Sequence, residues 1–120
     1  MSKMLIDEKN DESISLYKSI IGLLKENNLV ESEPLLVEAI GKYPHAPEPH
    51  NLMGIWLERK RDHMLAMKHF RAAWSLDPTY LPARHNLELY GTFFSKGHCA
   101  FELSDCKHEV NTKIRDVKDA

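Results

Sequence analysis

Residues of the same kind return at a spacing of 34 along the middle of this chain: Ala73 matches Ala39, Pro78 matches Pro44, Phe70 matches Leu36, Ala66 matches Ser32, Ile55 matches Ile21, and Leu57 matches Leu23. A fixed period of that length marks stacked supersecondary units, each too small to bury its own apolar face. Within each period the apolar spacing is helical. Ile14, Leu16, Tyr17, Ile20, Ile21, Leu23 and Leu24 form one stripe, closed by Asn27 and Asn28, which tolerate left-handed backbone at a helix end. A second helix is expected from about Ser32 to Tyr43, with Ser32 as its cap and Pro34 in the first turn, where its missing N–H would be unpaired anyway. Further helices are expected over Pro49 to about Arg59, His63 to Leu76, and about Pro82 to Phe94. Asp62 falls where a cap is needed, and Asp77-Pro78 is a stop signal. Connections this short make consecutive helices antiparallel neighbours.

The stretch Pro47 to Tyr80 carries Leu52, Met53, Gly54, Leu57, Ala66, Phe70, Ala73 and Pro78, and that spacing resembles a tetratricopeptide (TPR) repeat. The resemblance implies that Gly54 and Ala66 let two helices approach closely, that Phe70 fills the space between them, and that Ala73 leaves room for the next helix. Pro78 would end the second helix. Ser13 to Ala46 reads as a diverged copy, with Ile20 in place of Gly54 and Ser32 in place of Ala66. A partial third copy starts at Leu81, where Leu87 answers Met53 and Leu89 answers Ile55, while Glu88 replaces the glycine. Beyond Ala100, in register with Ala66, the likeness fades. The implied fold is all-α, an α-α superhelix: a TPR-like right-handed solenoid of antiparallel helix pairs with about 2.5 to 3 repeats. Residues 1–12 then form a polar extension, 13–97 the repeats, and 98–120 a C-terminal capping helix or a partly disordered tail.

Composition fits one small domain: 120 residues, 42% hydrophobic and 28% charged, with 5 Gly and 6 Pro, leave room for a single core. A formal charge of -2 and a pI near 6.4 give no field that favours phosphate backbones, so nucleic acid is not the expected partner. No apolar run approaches 18 residues and no cationic-then-apolar leader opens the chain. Neither export nor membrane spanning is expected, and the expected location is cytoplasmic.

From Cys99 onward, Cys99, Leu103, Cys106, Val110, Ile114 and Val117 recur at steps of three and four, enough for one face of a sixth helix after a break near Gly97. Such a helix would cover the open end of the stack; the alternative is a frayed tail. His98, Cys99, Cys106 and His108 also invite a metal or redox reading. Their spacing is wrong for familiar zinc sites, which place ligands two to four apart, and on a helix the two Cys would stand about 10 Å apart along the axis. Two thiols in a reducing compartment are the preferred account, and no metal or cofactor is expected. The remaining histidines, His45, His50, His63, His69 and His85, form no ligand cluster, and no nucleophile motif, phosphate loop or carboxylate pair is present. An enzyme is not expected. The one short basic run, Arg59-Lys60-Arg61, is expected to serve the carbonyl end of its own helix.

In TPR proteins the first helix of each unit lines a concave groove. The matching positions here are Ile14, Tyr17, Ile21 and Leu24, then Glu48, Asn51, Ile55 and Glu58, then His85, Leu89 and Thr92. The resemblance implies a non-enzymatic protein-interaction module, with apolar anchors giving affinity and polar neighbours fixing the direction of a bound peptide or helix. The basic clamp that some members use for acidic chaperone tails is missing, because its places hold Tyr17, Ile21, Leu52, Pro82 and Asn86. Competing accounts are that the chain's own ends fill the groove, that two copies close it as a homo-oligomer, or that the His and Cys near the C-terminus make a metal- or redox-responsive module.

Overall fold

A computed structural model describes residues 9–92 and 97–106. Among the described residues there are five long helices and no strand: α1 (Asp11–Lys25), α2 (Leu29–Lys42), α3 (Pro47–Arg59), α4 (His63–Leu76) and α5 (Leu81–Gly91). An irregular run over 97–102 and a helical turn over 103–106 follow. Asn10 opens α1 with a reciprocal cap, its Oδ1 accepting from Ser13 N at 2.8 Å while Ser13 Oγ accepts from Asn10 N at 2.8 Å.

The two helix-to-helix turns α1–α2 and α3–α4 repeat each other at the offset seen in the sequence. Asn27 and Arg61, 34 apart, are both left-handed, at φ 58° and 69°. The next amide in each turn reaches back to close the helix: Asn28 N to Leu23 O at 2.8 Å, and Asp62 N to Leu57 O at 2.9 Å. These bonds satisfy end carbonyls that the helix itself leaves open. Asn28 and Asp62 then cap the following helix, accepting from Glu31 N and Leu65 N. Both α2 and α4 are 14 residues long.

Three helix limits depart from the sequence expectation. Asn28 caps α2, so Ser32 stands a turn inside the helix, fully buried, with its hydroxyl donating to Leu29 O at 3.2 Å. Pro34 is consequently interior. The carbonyl it cannot serve belongs to Val30, a residue 82% exposed, so that carbonyl is not deprived of a partner in a dry interior. Helix α3 starts at Pro47 rather than Pro49, since proline suits the first helical position. Helix α5 stops at Gly91 because Thr92 turns extended, at φ -106° and ψ 151°; Phe94 lies outside the described residues.

Each helix packs on its predecessor, α1 also meets α3, and α3 also meets α5, whereas α2 and α4 do not touch. The odd-numbered helices therefore share one wall. Helices α3 and α4 approach tightly at Gly54: a Cβ added there would lie 2.4 Å from the ring of Phe70, so any larger residue would force the buried ring to move. Phe70 is fully buried and stacks on Tyr90 of α5 at 5.7 Å between ring centroids. Ala66 and Ala73 flank it, also fully buried, and Leu36, Ser32 and Ala39 occupy the matching places of α2. Trp56 Nε1 donates to Leu29 O at 2.8 Å, tying α3 to the start of α2.

A helix beginning at Cys99 does not form. Gly97, at φ 100°, redirects the chain, and 98–102 run without helical bonding. Helical geometry begins only at 103, and Val110, Ile114 and Val117 lie outside the described residues. No helix among the described residues is long and apolar enough to cross a membrane.

Candidate functional site

The segment 98–102 crosses the wall of odd-numbered helices and is held there by side-chain amides. Asn51 of α3 and Asn86 of α5 are both fully buried. Asn86 Nδ2 donates to Asn51 Oδ1 at 2.8 Å and to Ala100 O at 2.9 Å, while Asn51 Nδ2 donates to the same carbonyl at 3.0 Å. Ala100 N in turn donates to Asn86 Oδ1 at 2.8 Å. One side-chain amide thus pairs with both polar groups of the Ala100 backbone, as a neighbouring strand would. Swapping O and N in either amide would set donor against donor, so the network fixes both orientations. One residue before Asn86, His85 Nε2 donates to His98 O at 2.7 Å.

Side chains of the segment meet the wall on either side of that pairing. Ala100 is fully buried. The Phe101 ring has Lys25 Nζ and the Arg59 guanidinium each 5.6 Å from its centroid, at the ends of α1 and α3. Arg59 also donates to the Leu24 carbonyl, so it serves the last turn of α1 rather than that of its own helix. Phe101 N and Glu102 N donate to Asp105 Oδ2 at 2.9 and 3.2 Å, which supplies partners for amides at the start of the turn over 103–106.

The anticipated groove residues do not share one place. Tyr17, Ile21 and Glu48, with Ile14, line a cavity of about 430 Å³ between α1, α3 and residues 101–104. Leu24, Ile55 and Asn51 are fully buried, the first two in the core beneath that surface and Asn51 in the amide network. Leu89 borders a smaller opening of about 300 Å³ with Arg59, Tyr90 and Cys99, and His85 holds the His98 carbonyl. Glu58 turns to the α3–α4 connection, its carboxylate lying 2.6 Å from His63 Nδ1. Asn86 enters from the sequence only as a clamp place without a cation, and the period gives no sign of Ala100, Phe101, Lys25 or Arg59 at the wall. Asn86 is 35 residues after Asn51, one position out of register, so the period pointed to His85 instead.

Of the four residues considered for metal, His108 lies outside the described residues, and among the described residues no three His, Cys, Asp or Glu side chains gather to hold an ion. Cys99 and Cys106 form no disulfide. Burial pushes the Cys99 thiol up, against a smaller opposing pull from the Tyr90 hydroxyl and Arg59, and so disfavours the thiolate that metal binding or nucleophilic attack would need.

A second polar contact joins α3 to α4. His50 and His69 bring their Nδ1 atoms to 3.0 Å with rings stacked at 5.2 Å, so one ring donates and the other accepts. Burial lowers the proton affinity of both, and the charge of His50 lowers that of His69 further. The unfolded chain, with histidines near 6.5, then binds protons first, so this contribution to stability is complete above that pH and is lost as pH falls below it. Urea midpoints measured across pH 5–8 are expected to fall on the acid side, and His69→Gln to flatten the fall. An equally steep profile in the variant would contradict the assignment.

No family model matches the chain, and no curated protein or solved structure matches it significantly.

Proposed function

We propose that the chain is a non-enzymatic, TPR-like helical repeat module that binds an extended segment of a partner protein along the wall of α1, α3 and α5. Support for the repeat comes from the two turns that copy each other at 34 residues and from the odd-numbered helices sharing one wall. The observation that carries the binding role is the pairing of Asn51 and Asn86 with the Ala100 backbone. Side-chain amides that bond a peptide backbone accept many sequences, and adjoining pockets then select among them. Neither a nucleic acid nor a membrane surface is proposed as partner, given the formal charge of -2.

The same contact favours a second reading, in which 97–106 permanently completes the third unit and nothing else enters. Selection from a random displayed-peptide library on the full chain separates the two. Peptides are expected to be recovered that bind Asn51→Ala at least about tenfold more weakly than the parent chain by titration calorimetry. Recovery of no binders would favour permanent closure, and equal binding to the variant would place the site elsewhere.

A further inference from the structure

Building on the peptide-binding reading, we propose that residues 98–103 are a resident ligand mimic, and that the ligand displacing them is an extended peptide with three side chains in order: a small residue, an aromatic one, and, two positions later, an apolar group larger than leucine.

Each feature is read from how the resident segment is seated. Ala100 stands where the backbone must approach two buried amides, and with no exposed surface left a longer side chain would push that backbone off them. Phe101 has two cations each 5.6 Å from its ring centroid, a setting that rewards an aromatic face over an aliphatic chain of the same size. The third place is poorly filled. Leu103 is 52% exposed although it borders the cavity of about 430 Å³, whose walls include the apolar Ile14, Tyr17, Ile21 and Leu52 and a rim with the charged Lys18 and Glu48. That volume exceeds what one leucine occupies, so a bulkier group at this place would bury surface that the resident segment leaves wet.

Attachment to the same chain explains why an imperfect occupant holds the groove. Tethering converts its binding into an intramolecular step at an effective concentration on the order of millimolar. A peptide arriving from another molecule has to exceed that, and the unfilled cavity is where it gains the difference. The groove is thereby closed to weak peptides and open to those carrying the third side chain.

The test uses the full chain and labelled decapeptides copying residues 97–106 with Ser in place of both Cys, followed by fluorescence anisotropy and by the reaction of Cys106, 3% exposed in the resident state, with a thiol reagent. A peptide with Leu103→Trp is expected to bind about tenfold more tightly than the unmodified copy and to speed the Cys106 reaction. Adding Ala100→Trp or Phe101→Ala to that peptide is expected to weaken it at least about tenfold. If all four bind alike yet fail on Asn51→Ala, the side-chain order is wrong while the groove remains the binding site. If none binds and Cys106 stays protected, the groove does not take peptides in trans and both proposals fall.

Discussion

Phe70→Ala is expected to lower the unfolding free energy by about 3–5 kcal/mol, the range for deleting a fully buried aromatic ring. The value belongs at the upper end, because the ring contacts two neighbours that cannot close the gap. Gly54 has no side chain to move into it, and Tyr90 would lose its stacking partner. For a domain whose whole stability is about 5–15 kcal/mol, the variant is marginal at 37 °C. Gly54→Ala should fail in the opposite sense, by overpacking, and Phe70→Leu should recover part of that loss when the two are combined. Urea denaturation of the four chains measures the coupling. Simple additivity would mean that the close approach of α3 and α4 is not what those residues provide.

Asn86→Asp is the most direct probe of the site. The carboxylate keeps an acceptor for Ala100 N but replaces an amide that donated to both Asn51 Oδ1 and Ala100 O. A carboxylate oxygen would then face both Asn51 Oδ1 and Ala100 O; Ala100 O keeps the Asn51 Nδ2 donor, whereas Asn51 Oδ1, buried and deprived of its donor, costs roughly 1–3 kcal/mol. The expected result is release of 98–106 with most of the far-UV helical signal retained, seen as a Cys106 thiol that reacts at nearly the rate of the urea-unfolded chain. Protonation restores one donor, so burial raises the proton affinity of the introduced carboxyl and protection should return as pH falls through its titration. A variant whose Cys106 stays protected at neutral pH would show that the amide pair does not hold the segment.

Much of the helical pattern was legible in advance for local reasons. His63 to Leu76 was located to the residue because Asp62 caps it and Asp77-Pro78 stops it. The start of α2 was misplaced by three residues, since Ser32 and Pro34 look like a cap and a first turn. Subtracting 34 from Asp62 gives Asn28, the residue that caps α2, so the period held the correct answer where the local motif misled. At the site, Tyr17, Ile21 and Glu48 were reachable from their places on the first helix of each unit, and they border the cavity. Asn86 stands in the sequence only as a clamp place without a cation, one position off the register of Asn51, and Ala100 carries the register of a second helix although 98–102 are irregular.

Apolar period, caps and turn residues are encoded within a few positions of where they act, so the chain by itself determined helices and their order, while the close pairing of Gly54 with Phe70 followed only from the resemblance to a repeat. What lies in the groove was decided only in three dimensions. The residues from Cys99 have a helix-compatible pattern, yet 98–102 stay irregular because two amides from distant helices bond the Ala100 backbone and two cations approach the Phe101 ring. A local helix leaves its first amides unpaired in any case, whereas contacts 14 and 49 residues away in sequence satisfy buried groups that nothing nearby could reach. Long-range pairing outweighs local preference there, and only the folded wall brings those partners together.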